Sequence, residues 1–459
     1  MKKLLAYALY GCLGAACGVG QLPSKATHVA TNLDTVAQLT ICMNKAWCGQ
    51  AFDDALPKTR TSLADLSQIR SEVWKAWRQF NAGLDEEKLP ALKSLSEVDS
   101  AMWSIPDSLE PRATMPFFYG SKGNRPSRGY PLFLYLHGSG DKHREWKAGL
   151  TLCNAFVDAP SVYFIPQIPN VGPYYRWWQK GKTYLWNRLL RQALASGTVD
   201  ADRIYFFGIS EGGYGSQRLA SFYADYLAGA GPMAGGEPLR NAPAENCRHI
   251  AFSLRTGAKD TGFYRNLLTG YVKEEFERLQ ARYQGEFKHN IELIPDAGHS
   301  IDYFPTTPWL SQFRRKACPK TFSWENLDLD GVYRKGFYNV RIDQEPKLED
   351  GKRMFYEMSI EGNRVDMTVS RVAYTTTETD PHWGIQLKFV KTYTPATEGR
   401  FTLFLAPELV DLDKPVEIYV NKTLKFKGKL TPTWKRLVES CVLFGDPQRL
   451  FPTAVEVTF

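Results

Sequence analysis

Residues 203–213, RIYFFGISEGG, place a glycine-flanked serine between two elements of regular structure. The run before it, residues 203–207, is short and rich in β-branched and aromatic side chains, which predicts a buried strand. The run after it, residues 217–224, contains no breaker and predicts a helix. In such a turn the serine takes a strained positive φ, and the glycines let strand and helix cross closely. The pattern makes Ser210 a candidate nucleophile, provided that a base, an acid and an oxyanion hole lie elsewhere in the chain.

Strand-like runs alternate with helix-like runs between about residue 110 and residue 318. This alternation predicts a mainly parallel sheet with helices on both faces. We therefore expect an α/β catalytic domain over residues 106–318. The predicted strands are residues 115–119, 132–136, 162–165, 203–207, 250–255 and 290–294, and the predicted helices are residues 184–195, 217–226 and 268–283.

Two further regions are expected, because 459 residues exceed one ordinary core. Residues 62–81 carry apolar side chains at helical spacing, so residues 21–105 are predicted to form a helical segment packed on the catalytic domain. Beyond residue 325, apolar residues alternate with polar ones, and the Glu-Gly-Asn turn at 361–363 predicts a hairpin. Residues 325–459 are therefore predicted to form a β-sandwich.

The N-terminus predicts export from the cytoplasm. Two lysines precede an apolar run at residues 4–16, which is too short to cross a bilayer and is followed by small residues. Residues 1–20 are therefore predicted to be a signal peptide, and the mature protein to be periplasmic or at the cell surface. Cys12 or Cys17 could mark a lipoprotein cleavage site, although neither context fits well. No other segment predicts a membrane span.

The remaining cysteines predict little chemistry. Cys42 and Cys48 lie close together in a chain expected to be exported, so the sequence allows a local disulfide between them but does not establish it. The other four are spread along the chain and are typical of buried thiols. These are Cys153, Cys247, Cys318 and Cys441.

A second glycine-rich turn predicts one half of an oxyanion hole. The buried strand at residues 132–136 ends in His137-Gly138-Ser139-Gly140, upstream of the serine turn. A turn of this kind supplies one backbone N–H to the oxyanion in hydrolases with a serine elbow, and the residue after the nucleophile supplies the other. The expected donors are the amides of Ser139 and Glu211, each worth roughly 3 kcal/mol in the transition state.

The base and the acid are expected in loops that follow later strands. His299 comes directly after the last predicted strand, and Asp260 follows the strand at residues 250–255. Asp296 and Asp302 flank His299 and are the alternative acids. The chain order Ser210, Asp260, His299 is that of the α/β-hydrolases and differs from the orders in chymotrypsin and subtilisin.

These motifs carry a family resemblance. The region from about residue 110 to 318 resembles the α/β-hydrolase fold of secreted bacterial carbohydrate esterases. The stretches GYPLFLYLHGSGDKHREW, RIYFFGISEGGYGSQRLA and VDLDKPVEIYV together resemble the pectin methylesterases of carbohydrate esterase family 19 from gut Bacteroidetes. The resemblance implies a Ser-Asp-His triad accompanied by a C-terminal β-sandwich. It also implies cleavage of a methyl ester on galacturonan, and the triad chemistry requires no metal or cofactor.

The loop PQIPNVGPYYRWWQKGK at residues 166–182 is the candidate substrate-binding segment. It follows a predicted parallel strand and should therefore lie at the carboxyl edge of the sheet, beside the serine. Its aromatic side chains offer flat faces for sugar rings, and its cations offer charge for an anionic polymer, although both could instead be core and solvated surface. The candidate binding residues are Tyr175, Arg176, Trp177, Trp178 and Lys180.

Charge points to the same class of partner. Residues 111–200 contain 12 Lys and Arg against 4 Asp and Glu, while the whole chain has a net charge of +8. Such a local excess favours an anionic partner. The chain has neither a zinc-finger spacing nor a long basic run, so nucleic acid is disfavoured, and an anionic polysaccharide such as pectin is expected.

Two alternatives remain open on the residues alone. One is another serine hydrolase of the same fold, either an acetyl- or feruloyl-esterase acting on xylan or a peptidase. A neutral xylan would not need the basic excess. The other is a non-catalytic glycan-binding protein on a hydrolase scaffold, which the apparently complete triad disfavours.

Overall fold

The computed structural model describes residues 34–59, 61–349 and 351–459. The predicted signal peptide, with Cys12 and Cys17, lies outside the described residues. Within those residues, no helix is both long enough and apolar enough to span a membrane.

A mainly parallel sheet forms the centre of the catalytic domain, as the alternating pattern predicts. Its nine strands follow the order β1-β3-β5-β4-β6-β7-β8-β9, with β2 beside β3. The strands are β1 (Lys93–Ser94), β2 (Ser100–Ser104), β3 (Thr114–Lys122), β4 (Tyr130–Leu136), β5 (Ser161–Pro166), β6 (Val199–Ile209), β7 (Gly229–Met233), β8 (Ala251–Gly257) and β9 (His289–Ile294).

Helices cover this sheet, and the predicted α/β class is confirmed. Each of the six predicted strands coincides with an observed one to within a few residues, and β4 through β9 are parallel to their neighbours. The antiparallel pairs in this sheet are β3 with β5 and β2 with β3. The helices of this domain are α3 (Lys142–Ala155), α4 (Lys180–Ser196), α5 (Glu211–Tyr223), α6 (Arg265–Arg282) and α7 (Thr306–Leu310), and the short 3₁₀ helices are Gly172–Tyr174, Ala244–Cys247 and Gly262–Tyr264.

The register of the parallel strands brings three loops to one edge. Ile209 at the end of β6 lies beside Met233 of β7, and Met233 lies beside Arg255 of β8. Gly257 at the end of β8 in turn lies beside Ile294 at the end of β9. The segments that follow β6, β8 and β9 therefore emerge together, as expected for the carboxyl edge of an α/β sheet.

The C-terminal region is rich in β-structure, as the alternating pattern predicts, and its strands form two mainly antiparallel sheets. One sheet has the order β10-β13-β14-β17-β18 with β15 beside β14, and the other has the order β11-β12-β16-β19. The predicted hairpin at residues 361–363 joins β13 to β14. The strands are β10 (Thr321–Glu325), β11 (Gly336–Phe337), β12 (Val340–Gln344), β13 (Arg353–Glu361), β14 (Arg364–Thr379), β15 (Gln386–Pro395), β16 (Arg400–Leu405), β17 (Val416–Val420), β18 (Thr423–Gly428) and β19 (Thr453–Thr458). This region also contains helix α8 (Trp434–Phe444).

The N-terminal segment differs from its prediction in two respects. Its helices, α1 (Thr35–Trp47) and α2 (Leu66–Gly83), with the 3₁₀ turn Asp53–Ala55, form a common apolar core with α8 of the C-terminal region. The helical part ends at Gly83, and β1 and β2 within residues 21–105 belong to the central sheet. Short two- and five-residue strands have too few alternating positions to be recognised beside the strong amphipathic pattern of α2.

Cys42 and Cys48 are not joined by the disulfide that the sequence allows. Cys42 is fully buried in α1 with its thiol free, near the carbonyl oxygen of Phe52. Cys42 lies within α1 and Cys48 follows its last residue, so the helix backbone fixes the distance between them. Burial raises the pKa of the Cys42 thiol to about 11, which makes it a poor nucleophile.

A buried ionic network joins the catalytic domain to the C-terminal region. Arg449 has no exposed side-chain surface, and its guanidinium contacts Asp225 at 2.5 Å and Asp446 at 2.8 Å. Arg315 also pairs with Asp446, at 2.6 Å. Separating the two regions would expose or unpair these buried charges, which is costly. The network therefore favours one relative position of the two regions.

Candidate active site

The serine turn has the geometry of a nucleophile elbow. Ser210 lies between β6 and α5 with φ 58° and ψ −112°, a conformation that non-glycine residues rarely adopt. A Cβ on Gly212 would lie 1.9 Å from the carbonyl oxygen of Leu136, and one on Gly208 would lie 2.5 Å from the carbonyl oxygen of Gly212. Gly208 is therefore required for β6 and α5 to cross at this distance, and Gly212 is required for α5 to lie against the end of β4.

The three predicted triad residues form a continuous hydrogen-bonded chain. Nε2 of His299 lies 3.0 Å from Oγ of Ser210, and Nδ1 lies 2.7 Å from Oδ2 of Asp260. An ionised carboxylate only accepts hydrogen bonds, so Nδ1 carries the proton and Nε2 is free to accept the one from Ser210. Asp260 is nearly fully buried, whereas the side chain of His299 is 47% exposed and can be reached by a substrate.

Arg265 fixes the acid and was not anticipated from the sequence. Its guanidinium donates to both oxygens of Asp260, at 2.8 and 2.6 Å, and to the hydroxyl of Tyr214 at 3.2 Å. Burial alone would raise the pKa of Asp260, but the hydrogen bonds from Arg265 and His299 outweigh burial and hold that pKa below its usual value. Asp260 therefore stays ionised and keeps the imidazole in one tautomer.

The two alternative acids are engaged elsewhere. Asp296 is 88% exposed and pairs with Lys259 at 2.7 Å. Asp302 accepts a hydrogen bond from the backbone N–H of Phe304 at 3.0 Å. Of the three candidate acids, Asp260, which follows β8, is the one that contacts His299.

The His-Gly-Ser-Gly turn lies against Ser210. A Cβ on Gly138 would be 3.4 Å from Cβ of Ser210, which places this backbone beside the serine side chain. His137 is buried, and its Nε2 accepts a hydrogen bond from the backbone N–H of Ile168. Burial lowers the pKa of His137 to about 4, so this histidine is neutral and holds the turn in place. Ser139 follows it on the exposed side of the turn.

The predicted substrate loop lies beside the serine turn. Some of its candidate residues contact the segments around Ser210, and others are held elsewhere. Tyr175 donates through its hydroxyl to the carbonyl oxygen of Gly138 at 2.9 Å. Arg176 is 49% exposed and has Nη1 3.5 Å from Oε1 of Glu211. These contacts attach the loop to both backbone segments that flank Ser210.

Trp177 does not fit the expectation of sugar stacking. It is fully buried, and its indole N–H donates to the carbonyl oxygen of His137 at 3.0 Å. Trp178 is partly buried with the guanidinium of Arg218 3.9 Å from its ring, and the backbone N–H of Lys180 donates to Asp330 of the C-terminal region. Sequence alone does not separate a core tryptophan from a surface one in an aromatic run, and Trp177 is one of the tryptophans that build the core.

Six of the 12 cations in residues 111–200 form ion pairs in the folded chain, so the basic excess is partly neutralised. Lys182 forms a buried ion pair with Glu110 at 2.5 Å. Arg188 and Arg191 pair with carboxylates of Glu87 and Glu86, at 2.7 and 2.6 Å. The acidic partners lie outside the range over which the cations were counted, so the local excess in sequence overstates the charge that a substrate meets.

Glu211 is an unusual carboxyl to find next to a nucleophile. Its side chain is buried, and Oε1 accepts no hydrogen bond from any of the described residues, although Arg176 lies 3.5 Å away. Burial raises the pKa of Glu211 from 4.5 to about 7, against the opposing effect of Arg176 and Arg218. A partly neutral carboxyl therefore lies beside the proposed oxyanion hole at neutral pH.

Comparisons with known proteins add little to this geometry. No protein-family model matches the chain, and no curated protein matches it. Among solved structures, a thermostable esterase aligns with 19% identity and a TM-score of 0.36, over 48% of this chain and 64% of that one. A CE1 ferulic acid esterase from Anaeromyces mucronatus aligns with 16% identity and a TM-score of 0.33, over 50% of this chain and 92% of that one.

A third solved structure, a poly(3-hydroxybutyrate) depolymerase from Bordetella parapertussis, aligns with 14% identity and a TM-score of 0.34, over 47% of this chain and 86% of that one. This chain thus spans less than two thirds of the thermostable esterase and aligns with all three over about half of its own length. At these values the similarity assigns neither substrate nor activity to this chain.

Proposed function

We propose that this protein is a serine esterase of the α/β-hydrolase type that acts on a carbohydrate ester. The observation that carries the proposal is the hydrogen-bonded chain from Ser210 through His299 to Asp260 at a strained strand–helix turn. Structural serines do not require a positive φ, and such strain persists only where the surrounding structure imposes it. The same three residue types in this chain order perform acyl transfer in α/β-hydrolases.

In the acylation step, Nε2 of His299 takes the proton of Ser210 as Oγ attacks the ester carbonyl. The tetrahedral oxyanion accepts hydrogen bonds from the backbone amides of Ser139 and Glu211. Collapse of this intermediate breaks the bond to the alkoxy group, which leaves as the alcohol with the proton from His299. The polymer's acyl group is then covalently bound to Oγ.

In the deacylation step, His299 takes a proton from water, whose oxygen attacks the acyl-enzyme. The second tetrahedral intermediate releases the free carboxylic acid and returns the proton to Ser210. Asp260, clamped by Arg265, keeps the imidazole oriented and stabilises its charged form in both steps.

For the substrate, we propose methyl-esterified galacturonan, so that the leaving alcohol is methanol. The sequence resemblance to pectin methylesterases supports this choice. A second support is the position of Arg176, which is half-exposed beside Glu211 and could contact a free carboxylate on a neighbouring sugar. The basic excess over residues 111–200 gives weaker support than its count suggests, because six of its 12 cations form ion pairs within the protein.

Product release distinguishes this proposal from the other esterase chemistries. Methanol released from methylated pectin and acetate released from acetylated xylan are measured with the same enzyme preparation, and Ser210→Ala serves as the control for triad-dependent release. The proposal expects methanol release at least about 10-fold faster than acetate release, and loss of both in the variant. Acetate release that dominates would reassign the enzyme to acetylated glycans, and release unaffected by Ser210→Ala would refute the serine mechanism.

We also propose that the protein acts outside the cytoplasm, at the cell surface or in the periplasm. The basis is the predicted signal peptide at residues 1–20. Mass determination of the N-terminal peptide from the native source would show a mature chain that begins near residue 21. A mature chain that retains Met1 would contradict export by this route.

A further inference from the structure

A two-stranded arm extends from the β-sandwich to the active-site edge. Strand β13 pairs with β14 as far as Val372, whereas β14 continues to Thr379 and is there paired with β15. In the part of the chain that the structure describes, residues 373–379 therefore pair with β15 alone. We call residues 373–392 the arm. A ribbon of two strands is marginally stable by itself, so its position depends on what it contacts.

The arm contacts Tyr271 of helix α6 and the loop that carries Arg240. The hydroxyl of Tyr271 donates to Glu378 at 2.6 Å, and Nζ of Lys388 lies 4.6 Å from the centre of the Tyr271 ring. Arg240 donates to the side-chain oxygen of Gln386 at 3.0 Å. These polar contacts from both strands hold the arm against the catalytic domain and direct its tip toward the loop after β8.

The tip of the arm meets the loop that carries the triad acid. Asp380 is buried, accepts a hydrogen bond from the backbone N–H of His382 at 3.1 Å and is also hydrogen-bonded to the backbone N–H of Trp383. The hydroxyl of Tyr264 donates to the same carboxylate. Asp380 thus orders the turn at the tip and attaches it to Tyr264, four residues after Asp260.

Two large aromatic side chains are left exposed at this junction. Trp383 of the tip is 61% exposed and Phe263 of the acid loop is 53% exposed, and their ring centres are 5.7 Å apart with an interplanar angle of 46°. Phe263 also has a φ of 51°, which is costly for a bulky residue. The chain therefore accepts backbone strain to present an apolar ring to solvent.

The pair lies on the same edge of the sheet as the nucleophile. Phe263 follows β8, whose end is aligned with the ends of β7 and β6, and Ser210 follows β6. The guanidinium of Arg265, which clamps Asp260, lies 5.7 Å from the Phe263 ring. A substrate bound at Ser210 and extending over His299 toward the acid loop would meet these rings.

The size of the aromatic surface limits what can bind there. Tryptophan and phenylalanine side chains present about 150–250 Å² each, so their exposed fractions leave roughly 250 Å² of ring surface. A stable protein partner needs about 800 Å² on each side. The pair suits one or two flat, partly apolar rings and is too small for a protein interface.

We propose that Trp383 and Phe263 form a stacking subsite for a pyranose ring of a polymeric substrate, so that the β-sandwich domain completes the substrate cleft. The inference rests on the proposed function, because it assigns the subsite to the polymer whose ester Ser210 cleaves. The apolar faces of a pyranose ring would contact the two aromatic rings, while the ester of a neighbouring residue lies at Ser210. The role of the sandwich is then to deliver Trp383, through the arm, to the catalytic domain.

The test compares a polymeric ester with a small one. For Trp383→Ala, kcat/KM on methylated pectin is expected to fall at least about 10-fold further than kcat/KM on p-nitrophenyl acetate, with the change mainly in KM. Trp383→Phe keeps a stacking ring and should recover most of the loss. Tyr393→Ala is the matched control, because Tyr393 is an exposed aromatic on β15, the strand that follows the tip, and lies roughly 30 Å along the arm from it.

A second variant separates binding from folding. Phe263→Gly removes a ring and relieves the positive φ, so it should leave the melting temperature equal or raised while increasing KM on the polymer. Equal effects of Trp383→Ala on both substrates, or an equal loss in Tyr393→Ala, would overturn the subsite. Absence of methanol release by the unmodified enzyme would instead refute the proposed substrate, so the two failures are distinguishable.

Discussion

Replacing Glu211 by glutamine should stabilise the protein at alkaline pH and have little effect at acid pH. The folded state raises the pKa of this carboxyl from 4.5 to about 7, chiefly through burial. One pKa unit corresponds to about 1.4 kcal/mol, so the buried charge costs about 3 kcal/mol once the group is ionised in both states. Glutamine has nearly the same shape and carries no charge to bury.

The sign follows from proton binding. Between pH 4.5 and pH 7 the folded chain holds a proton at Glu211 that the unfolded chain releases, so stability falls as pH rises through this window. Above the window the penalty is complete, and below pH 4.5 it is nearly absent. The difference in unfolding free energy between Glu211→Gln and the unmodified protein should therefore grow by about 3 kcal/mol from pH 4.5 to pH 8.5.

Guanidinium unfolding of both proteins at the two pH values measures this difference. Glu361→Gln is the control, because Glu361 lies exposed at the hairpin turn and its replacement removes a solvated charge. In the control the difference should stay flat with pH. A flat difference for Glu211→Gln as well, or destabilisation by this substitution at pH 8.5, would refute the argument that Glu211 is a costly buried acid kept beside the nucleophile.

Three further predictions concern the acid, the substrate charge and the domain junction. Asp260→Asn should lower kcat by about 10⁴-fold in steady-state assays, because the imidazole of His299 would adopt the wrong tautomer. Asp296→Asn and Asp302→Asn should each change kcat less than about 10-fold. A larger loss in either of these two variants than in Asp260→Asn would reassign the acid. Arg176→Gln should reduce the salt dependence of kcat/KM on methylated pectin between about 0.15 M and 1 M, where the Debye length falls from about 8 to 3 Å; an unchanged salt dependence would remove Arg176 from substrate binding. Asp446→Ala should destabilise the protein by about 3–5 kcal/mol in denaturant unfolding, since it removes a carboxylate that two buried arginines share. A loss below about 1 kcal/mol would contradict this.

The candidate triad can be predicted from the sequence because each of its residues lies in a loop that follows a strand. The strands that precede Ser210, Asp260 and His299 are apolar runs with clear breakers, and parallel strands bring their following loops to one edge. Strand β7 is missed for the opposite reason. Its sequence, GAGPM, has two glycines and a proline, and a Cβ on Gly231 would lie 2.6 Å from the Thr306 side chain. The close packing around β7 requires small residues there, although glycine and proline have low strand propensity.

The features that sequence does not reveal depend on contacts between distant segments. Arg265 follows Asp260 by only five residues, but nothing in that spacing shows a guanidinium directed at the carboxylate. Trp177 and Trp178 are adjacent, and only the packed structure buries the first completely. The contact of Trp383 with Phe263 joins residues 120 positions apart in the chain through the docking of the arm on α6. A single sequence carries no local signal for such a contact.

The central claim is that Ser210 is a nucleophile activated by His299. It is tested most directly by treating the protein with a fluorophosphonate probe, which labels activated serines covalently, and locating the adduct by peptide mass spectrometry. We expect one adduct per chain, on the peptide that contains Ser210, and strongly slowed labelling in His299→Ala. An unlabelled protein, or a label that persists in Ser210→Ala, would contradict the account.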